Sequence, residues 1–219
     1  MYMIFTGDKA HSSWSLRGWL MLAAFDLRFE DVPVRMYDPA FDALKAACTP
    51  ARTVPILEWD EDGRTRRVWD SLAIAETLYE RHPDARIWPA DPGLRALARV
   101  LAAEMHSSFA ALRDACPMNI HRTPAPLWKP PEGVAADVAR IGELWSWALA
   151  TSGGPWLAGP AFSAADVFYA PVALRFQEYA LSAPGTAEYG AMLLRHPAVE
   201  RWIELARSDP RRITLYDRE

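Results

Sequence analysis

Apolar residues recur at two different spacings in the first third of this chain. Residues Met1 to Thr6 form an apolar, β-favouring run that predicts a central strand. A helix that begins near Ser13 to Ser15 is predicted next, because apolar residues recur at helical spacing: Leu16, Trp19, Leu20, Ala23 and Leu27. Phe29 to Val34 predicts a second strand, whose Pro33 indicates an edge position, and Phe41 to Ala47 predicts a short helix.

A hairpin followed by a helix is predicted between Arg52 and Leu78. A strand begins at Ile56, and Pro55 must lie at its start or edge because proline cannot donate to a sheet ladder. The turn spans residues 60–63, the returning strand spans residues 65–69, and Asp70 can start the helix. The resulting order, strand-helix-strand-helix-strand-strand-helix, is that of an α/β thioredoxin-like domain.

Every periodic segment beyond residue 92 is helical. A proline-rich segment at residues 83–92 ends the first unit, because the residue before each proline is pushed out of the helical region. One apolar stripe then runs from Leu94 to Leu112, and another from Val134 to Leu149. Ser163 to Asp166 forms a capping box, which favours a structural role for Asp166 over a catalytic one. We therefore predict a thioredoxin-like domain at 1–82, a linker at 83–92 and an all-α domain at 93–219.

Charge, length and cysteine content narrow the function classes. The 219 residues carry a net charge of −4 and no basic run, which argues against nucleic acid or an anionic membrane as the main partner. No stretch of about 18 apolar residues exists, and Met1 to Phe5 lacks the features of a signal peptide, so we expect a cytoplasmic protein. Cys48 and Cys116 show no metal-like spacing, so we expect neither a disulfide framework nor a metal site.

Two residue pairs predict a site for a small peptide. A bond such as Val54-Pro55 can be cis at a cost of only ~0.5–1 kcal/mol, and the backbone of Val54 would then face outward. After Asp70 and Ser71, the N–H groups of the first helical turn and the serine hydroxyl would favour a carboxylate. An outward backbone beside a carboxylate site suggests a peptide ligand.

These residues resemble the glutathione site of the glutathione transferases, whose amino-terminal domain is thioredoxin-like. The resemblance implies that Val54, next to a cis Pro55, pairs with the cysteinyl part of glutathione, and that Asp70 and Ser71 hold the γ-glutamyl end. It also implies a homodimer that uses glutathione as co-substrate with a small electrophile. The family's Gly-x-x-x-Ser-x-Ala-Asp signature extends the resemblance over nearly the whole chain, with matches at Gly159, Ser163, Ala165 and Asp166.

The loop from His11 to Arg17 occupies the place where a thioredoxin carries its redox cysteines. It contains no cysteine, so hydroxyl chemistry at a helix N-terminus remains. Its pattern Ser-Ser-x-Ser-x-Arg resembles the zeta class, which includes maleylacetoacetate isomerases, and implies that Ser12 contacts the sulfur and Ser13 assists. Helix capping is the alternative role for these serines and is preferred for Ser15.

The second substrate is expected between this loop and the first helices of the all-α domain. Candidate walls are Trp14, Met105, His106, Phe109 and Met118. Some zeta members bind a carboxylated substrate with an arginine that maps by spacing onto Glu178, while Arg175 lies about one turn earlier. We therefore expect conjugation to a small apolar electrophile. A glutathione-dependent cis-trans isomerase and a non-catalytic binding or regulatory module are the alternatives.

Overall fold

A mixed β-sheet forms the centre of the first part of the chain. The computed structural model describes residues 1–123 and 129–217, and within them four strands pair in the order β2-β1-β3-β4. The strands are β1 (Tyr2–Thr6), β2 (Phe29–Pro33), β3 (Ile56–Glu61) and β4 (Arg64–Trp69). β1 runs parallel to β2 and antiparallel to β3, which forms a hairpin with β4. The predicted strands and hairpin are confirmed.

Three helices complete this thioredoxin-like part: α1 (Ser13–Ala23), α2 (Pro39–Ala47) and α3 (Ser71–Arg81). α1 buries Leu16, Trp19 and Leu20 as their spacing predicts. It ends at Ala23, so Leu27, predicted on the same stripe, packs against the core from the following loop.

The remainder of the chain is helical, as predicted. Its helices are α4 (Pro92–Ser107), α5 (Ala110–Ala115), α6 (Glu132–Ser152), α7 (Ala164–Glu178), α8 (Thr186–Leu194) and α9 (Pro197–Ser208). The predicted start of α7 is confirmed, because Ser163 is its N-cap and forms a capping box with Asp166. The sequence pattern did not indicate α8.

The continuous helix predicted from Leu94 to Leu112 is wrong. α4 ends at Ser107, and Phe109 adopts a left-handed backbone conformation with φ of 63° before α5 begins. Leu101 and Leu112 are nevertheless both fully buried, because the two helices turn their apolar faces to the same core.

α7 lies at the centre of the packing. Its side chains are buried over nearly its whole length, and it contacts α1, α4 and α8. One cluster of buried apolar residues extends from Tyr2 to Ala206, so the sheet and the helices share a core. The division at residues 83–92 stays a prediction. Among the residues described, no helix has the length and apolar character needed to cross a membrane.

Candidate functional site

A cleft of about 350 Å³ opens at the N-terminus of α1. This volume lies within the range of roughly 300–1,000 Å³ that is typical of small-molecule sites. The side chains that matter most for its chemistry are Ser12, Ser13, Trp14, Val54, Arg113 and Arg175. The cleft thus joins the loop before α1, the loop before β3 and the inner helices of the second part.

Ser12 is the N-cap residue of α1. Its Oγ accepts a hydrogen bond from the backbone N–H of Ser15 at 3.3 Å and donates one to Ser15 Oγ at 2.7 Å. Ser15 Oγ also accepts from the N–H of Gly7 at 2.9 Å. The N-cap role predicted for Ser15 therefore belongs to Ser12, because Ser15 Oγ is engaged by the preceding loop.

Ser13 is bound differently. Its Oγ accepts a hydrogen bond from Nη2 of Arg175 at 3.4 Å, although the two residues are 162 positions apart in the sequence. Arg175 is 5% exposed, and its Nε and Nη1 donate to the carbonyls of Cys116 and Pro171 at 2.8 and 3.2 Å. These two bonds fix the guanidinium beside Ser13.

The loop before β3 forms another wall of the cleft. The Val54-Pro55 peptide bond is cis, and Val54 lines the cleft. Gly18 of α1 packs directly under Pro55, because a Cβ at Gly18 would lie 2.6 Å from Pro55 Cγ. The absence of a side chain at residue 18 lets α1 approach this loop closely.

Asp70 and Ser71 lie outside the lining of the cleft, beyond Trp14. Asp70 is the N-cap of α3, adopts φ of 73° and accepts from the N–H of Leu72 at 2.8 Å. Ser71 is fully buried, and its Oγ has no hydrogen-bond partner among the residues that the structure describes. A buried hydroxyl without a protein partner at a helix N-terminus is suited to an anionic ligand group.

His106 connects Asp70 to the cleft. Its Nε2 lies 3.4 Å from Asp70 Oδ2, and its ring meets the Trp14 ring edge-on at 5.2 Å between centroids. Burial lowers the pKa of His106, and the nearby Asp70 carboxylate opposes that effect. The imidazole is therefore mainly neutral near pH 7.

Three of the residues predicted to surround the second substrate line the cleft: Trp14, Met118 and Arg175. Met105 and Phe109, which were predicted beside them, do not line it. Both are buried in the apolar core, since that face of α4 and its end turns inward. His106 does not line the cleft itself, but it contacts two residues that do: its ring meets Trp14, and its carbonyl accepts from Arg113 at 3.0 Å.

Three buried or half-buried arginines lie in or next to the cleft: Arg17, Arg113 and Arg175. Arg17 is 1% exposed and lies between the rings of Trp14 and Phe168, 4.5 and 5.2 Å from their centroids. Burial, with the neighbouring Arg113 and Arg175, lowers the pKa of Arg17 to about 9, so it stays charged near neutral pH. The interior next to the cleft is therefore strongly cationic.

Glu178 does not face the cleft, although spacing places it where some zeta members carry an arginine. Its Oε2 accepts from the N–H of Asn119 at 3.0 Å beneath the cleft. Burial raises the pKa of Glu178 to about 7. Arg175, one turn earlier, presents its guanidinium instead.

The two basic residues of the loop before α1, Lys9 and His11, make different contacts. Lys9 Nζ forms an ion pair with Asp31 at 2.6 Å, so it is not a candidate for a ligand carboxylate. His11 lines the cleft and stacks on Tyr216 at 5.2 Å between centroids. The Tyr216 hydroxyl lies 2.9 Å from that of Tyr37, so the segment after α9 covers one side of the cleft.

Arg113, Tyr37 and Tyr216 also line the cleft, although the sequence pattern did not indicate them. Arg113 directly follows Leu112, the last residue of an apolar stripe, and an apolar pattern does not report a charged position beside it. The tyrosines have no local signal, because the cleft reaches them through the path of the chain. Among the described residues, no group of acidic, histidine and cysteine side chains could hold a metal ion.

Comparisons with known proteins show which proteins this chain is similar to. The family model for the glutathione S-transferase N-terminal domain matches residues 11–81. A curated protein from Caenorhabditis elegans, described as a probable maleylacetoacetate isomerase, is 33% identical over 106 residues, which are 48% of this chain and 47% of that protein. The match therefore spans about half the length of that relative.

Two solved structures of a maleylacetoacetate isomerase from Anaeromyxobacter dehalogenans are similar along nearly the whole chain. One, with glutathione bound in its active site, is 26% identical, has a TM-score of 0.66, and covers 96% of this chain and 97% of its own. The other holds dicarboxyethyl glutathione and citrate, is 26% identical with a TM-score of 0.62, and covers 99% and 92%.

Proposed function

The chain belongs to the glutathione transferase family, close to its zeta class, and on this premise we propose that it binds glutathione and uses the thiolate as a nucleophile. The observation that carries the proposal is a pair of buried serine hydroxyls, Ser12 and Ser13, at a helix N-terminus that opens into the cleft. Glutathione bound in the active site of a relative 26% identical supports this ligand.

The proposed binding mode extends the tripeptide from the cleft towards α3. The backbone of Val54, beside the cis Pro55, pairs with the cysteinyl residue. Asp70 accepts from the α-amino group of the γ-glutamyl residue, and the buried Ser71 hydroxyl donates to its carboxylate. The N-terminus of α3 further stabilises that negative charge.

A serine hydroxyl and the helix dipole suffice to activate the thiol. A free cysteine-like thiol has a pKa of about 8.5, so only a few per cent is thiolate at pH 7. Lowering this pKa by ~2 units requires about 2.7 kcal/mol of preferential stabilisation of the thiolate. One charge-assisted hydrogen bond supplies ~1.5–3 kcal/mol and the helix dipole ~0.3–1 kcal/mol. The proton leaves to solvent through the open side of the cleft.

The electrophile is proposed to be small and to carry a carboxylate. The volume of the cleft limits its size. Arg113 and Arg175 line the same cleft as the serines, and arginine recognises carboxylates with paired N–H donors. Two guanidinium groups in the cleft lining therefore favour an anionic electrophile over the apolar one that the sequence suggested.

Isomerisation is a second candidate reaction, favoured by the same arginines and by the isomerase names of two relatives. In conjugation, the thiolate forms a bond to an electrophilic carbon. Either a leaving group departs from that carbon with its bonding electrons, or, at a conjugated double bond, the neighbouring carbon receives the electron pair and takes up a proton. In cis-trans isomerisation, the thiolate adds to one carbon of a conjugated double bond, the resulting single bond rotates, and the sulfur leaves. Glutathione is then regenerated.

Retention on immobilised glutathione, followed by two activity assays, tests the proposal. The substrates are an aromatic halide and a cis-configured conjugated dicarboxylic acid. We expect retention, turnover of at least one substrate, and a loss of roughly 25-fold at pH 7 in the Ser12→Ala/Ser13→Ala double variant. A rise of the thiol pKa from about 6.5 to about 8.5 lowers the thiolate fraction from roughly 75% to roughly 3%. Asp70→Ala should lose retention.

Ser107→Ala is the matched control, because this exposed serine donates only within its own helix, to the Ala103 carbonyl. A protein that retains glutathione but turns over neither substrate would support the binding module instead. Failure to bind glutathione at all would refute the proposal. Homodimerisation and a cytoplasmic location stay predictions from the sequence.

A further inference from the structure

The two adjacent serines differ in where their hydroxyl protons point. The Ser12 hydroxyl donates to Ser15 Oγ at 2.7 Å, and its oxygen accepts from the Ser15 N–H. The donor and an acceptor position of this hydroxyl are therefore both engaged within the first turn of α1. A sulfur atom could receive the Ser12 proton only if this bond were broken or reversed, with the Ser15 hydroxyl then donating to Ser12 Oγ.

The Ser13 hydroxyl has the opposite arrangement. Its oxygen accepts from Arg175, and a guanidinium has N–H donors but no acceptor, so the Ser13 proton cannot be directed at that partner. Ser13 lines the cleft, where the remaining space for its proton lies. Arg175 thus occupies the acceptor side of Ser13 and leaves its donor side for a ligand.

We propose that Ser13, held by Arg175, is the hydroxyl that donates to the glutathione sulfur, and that Ser12 mainly caps α1. The inference rests on the proposed function and departs from the resemblance, which assigns the sulfur to Ser12. Arg175 acts as a positioning residue: it orients Ser13, and its charge polarises the hydroxyl so that the O–H is a stronger donor to a thiolate.

The surroundings of Arg175 support this role. Its bonds to the Cys116 and Pro171 carbonyls hold the guanidinium in one orientation, so little freedom is lost when Ser13 engages a ligand. Arg175 is held at the end of the long buried helix α7, and Ser13 is the first residue of α1. The packing of α7 against α1 sets the distance between the two side chains.

The decisive measurement is the pKa of the thiol of bound glutathione, followed by thiolate absorbance as pH is varied. Ser13→Ala should raise this pKa by about one to two units, the equivalent of one charge-assisted hydrogen bond, whereas Ser13→Thr, which keeps the hydroxyl, should restore most of the loss. Ser12→Ala should raise it clearly less and should lower the urea midpoint by removing the helix cap.

A double-mutant cycle with Arg175→Lys tests the positioning role, because lysine keeps the charge but loses the fixed geometry of the guanidinium. Arg175→Lys should raise the thiol pKa when Ser13 is present and have a much smaller effect in Ser13→Ala. If Arg175→Lys does not fold, the comparison of Ser12→Ala with Ser13→Ala decides alone.

A larger thiol pKa increase in Ser12→Ala than in Ser13→Ala, or equal increases in both, would overturn the assignment while leaving the proposed function intact. Equal effects of Arg175→Lys in both backgrounds would overturn the positioning role. Absence of glutathione binding in the unmodified protein would instead refute the proposed function itself.

Discussion

Replacing Glu178 by glutamine should change the pH dependence of folding. The Glu178 carboxyl group is 6% exposed, its Oε2 accepts from Asn119, and its Oε1 is buried without a partner in the described part of the chain. Burial raises its pKa from an ordinary value near 4.5 to about 7, against the opposing effects of the Asn119 N–H and Arg175. Its ionised form is therefore disfavoured in the folded protein.

The sign and size of the effect follow from linkage. Because the pKa is higher in the folded than in the unfolded state, the native protein binds this proton more tightly. The resulting stability is fully present below about pH 4.5 and is lost as pH rises through about 7. At about 1.36 kcal/mol per pKa unit, the loss between about pH 5 and about pH 8 is roughly 2–3 kcal/mol.

Urea unfolding of the unmodified protein and Glu178→Gln across that pH range measures this difference. The free energy of unfolding of Glu178→Gln, relative to the unmodified protein, should rise by roughly 2–3 kcal/mol from about pH 5 to about pH 8. A constant offset from the new amide does not alter that change. Glu188→Gln, at an exposed glutamate of α8, is the matched control. A difference that does not vary with pH would refute the reasoning.

Three further predictions concern the frame of the site. Gly18→Ala would place a Cβ 2.6 Å from Pro55 Cγ, so we expect overpacking to destabilise the protein by ~1–3 kcal/mol. Calorimetry should show weaker glutathione binding. Unchanged affinity would show that the loop before β3 can move without affecting the ligand. Asp166→Ala would leave the buried donors of Leu157, Ser163 and Tyr189 without their acceptor. Thermal unfolding should therefore show that the free energy of unfolding falls by about 3 kcal/mol or more, while turnover per folded molecule is retained. Lost turnover would indicate a catalytic role. Tyr216→Ala should weaken glutathione binding severalfold, whereas Tyr216→Phe should keep most of the affinity, because the ring stacks on His11. Equal losses of affinity in the two variants would assign the effect to the hydroxyl.

The elements that the sequence predicted correctly depend on local chemistry. The β3-β4 hairpin turns at Gly63, which has a positive φ, and the capping box at Ser163 satisfies its own backbone groups. Such signals act within a few residues of each other, so they can be recognised without knowledge of the fold.

The break before α5 could not be predicted in this way. No glycine or proline marks Phe109, and the apolar stripe continues across it because both helices face one core. The guanidinium of Arg113 reaches back to the carbonyls of Met105 and His106, which α4 would otherwise leave open at its end. The break therefore depends on a contact between two helices, and periodicity does not report such a contact.

The same limit applied to the candidate site. The serines could be identified from a seven-residue loop, but three of them compete to cap one helix, and the N–H of Gly7 decides between them by engaging Ser15. The partner of Ser13 lies 162 residues away, so the pattern alone could not indicate it. The local pattern does not report which charged groups lie near each hydroxyl.

Under the proposed mechanism, the second part of the chain contributes to thiol activation as well as to substrate selection. A thioredoxin-like domain can present Ser13 at a helix N-terminus, but the guanidinium that donates to its hydroxyl oxygen belongs to Arg175 of α7. A chain with the same serine loop and no cation at the position of Arg175 should still bind glutathione through Val54, Asp70 and Ser71, yet hold more of it as the thiol. If the proposed role of Arg175 holds, a buried cation on α7 distinguishes catalysis from simple binding better than the serine loop does.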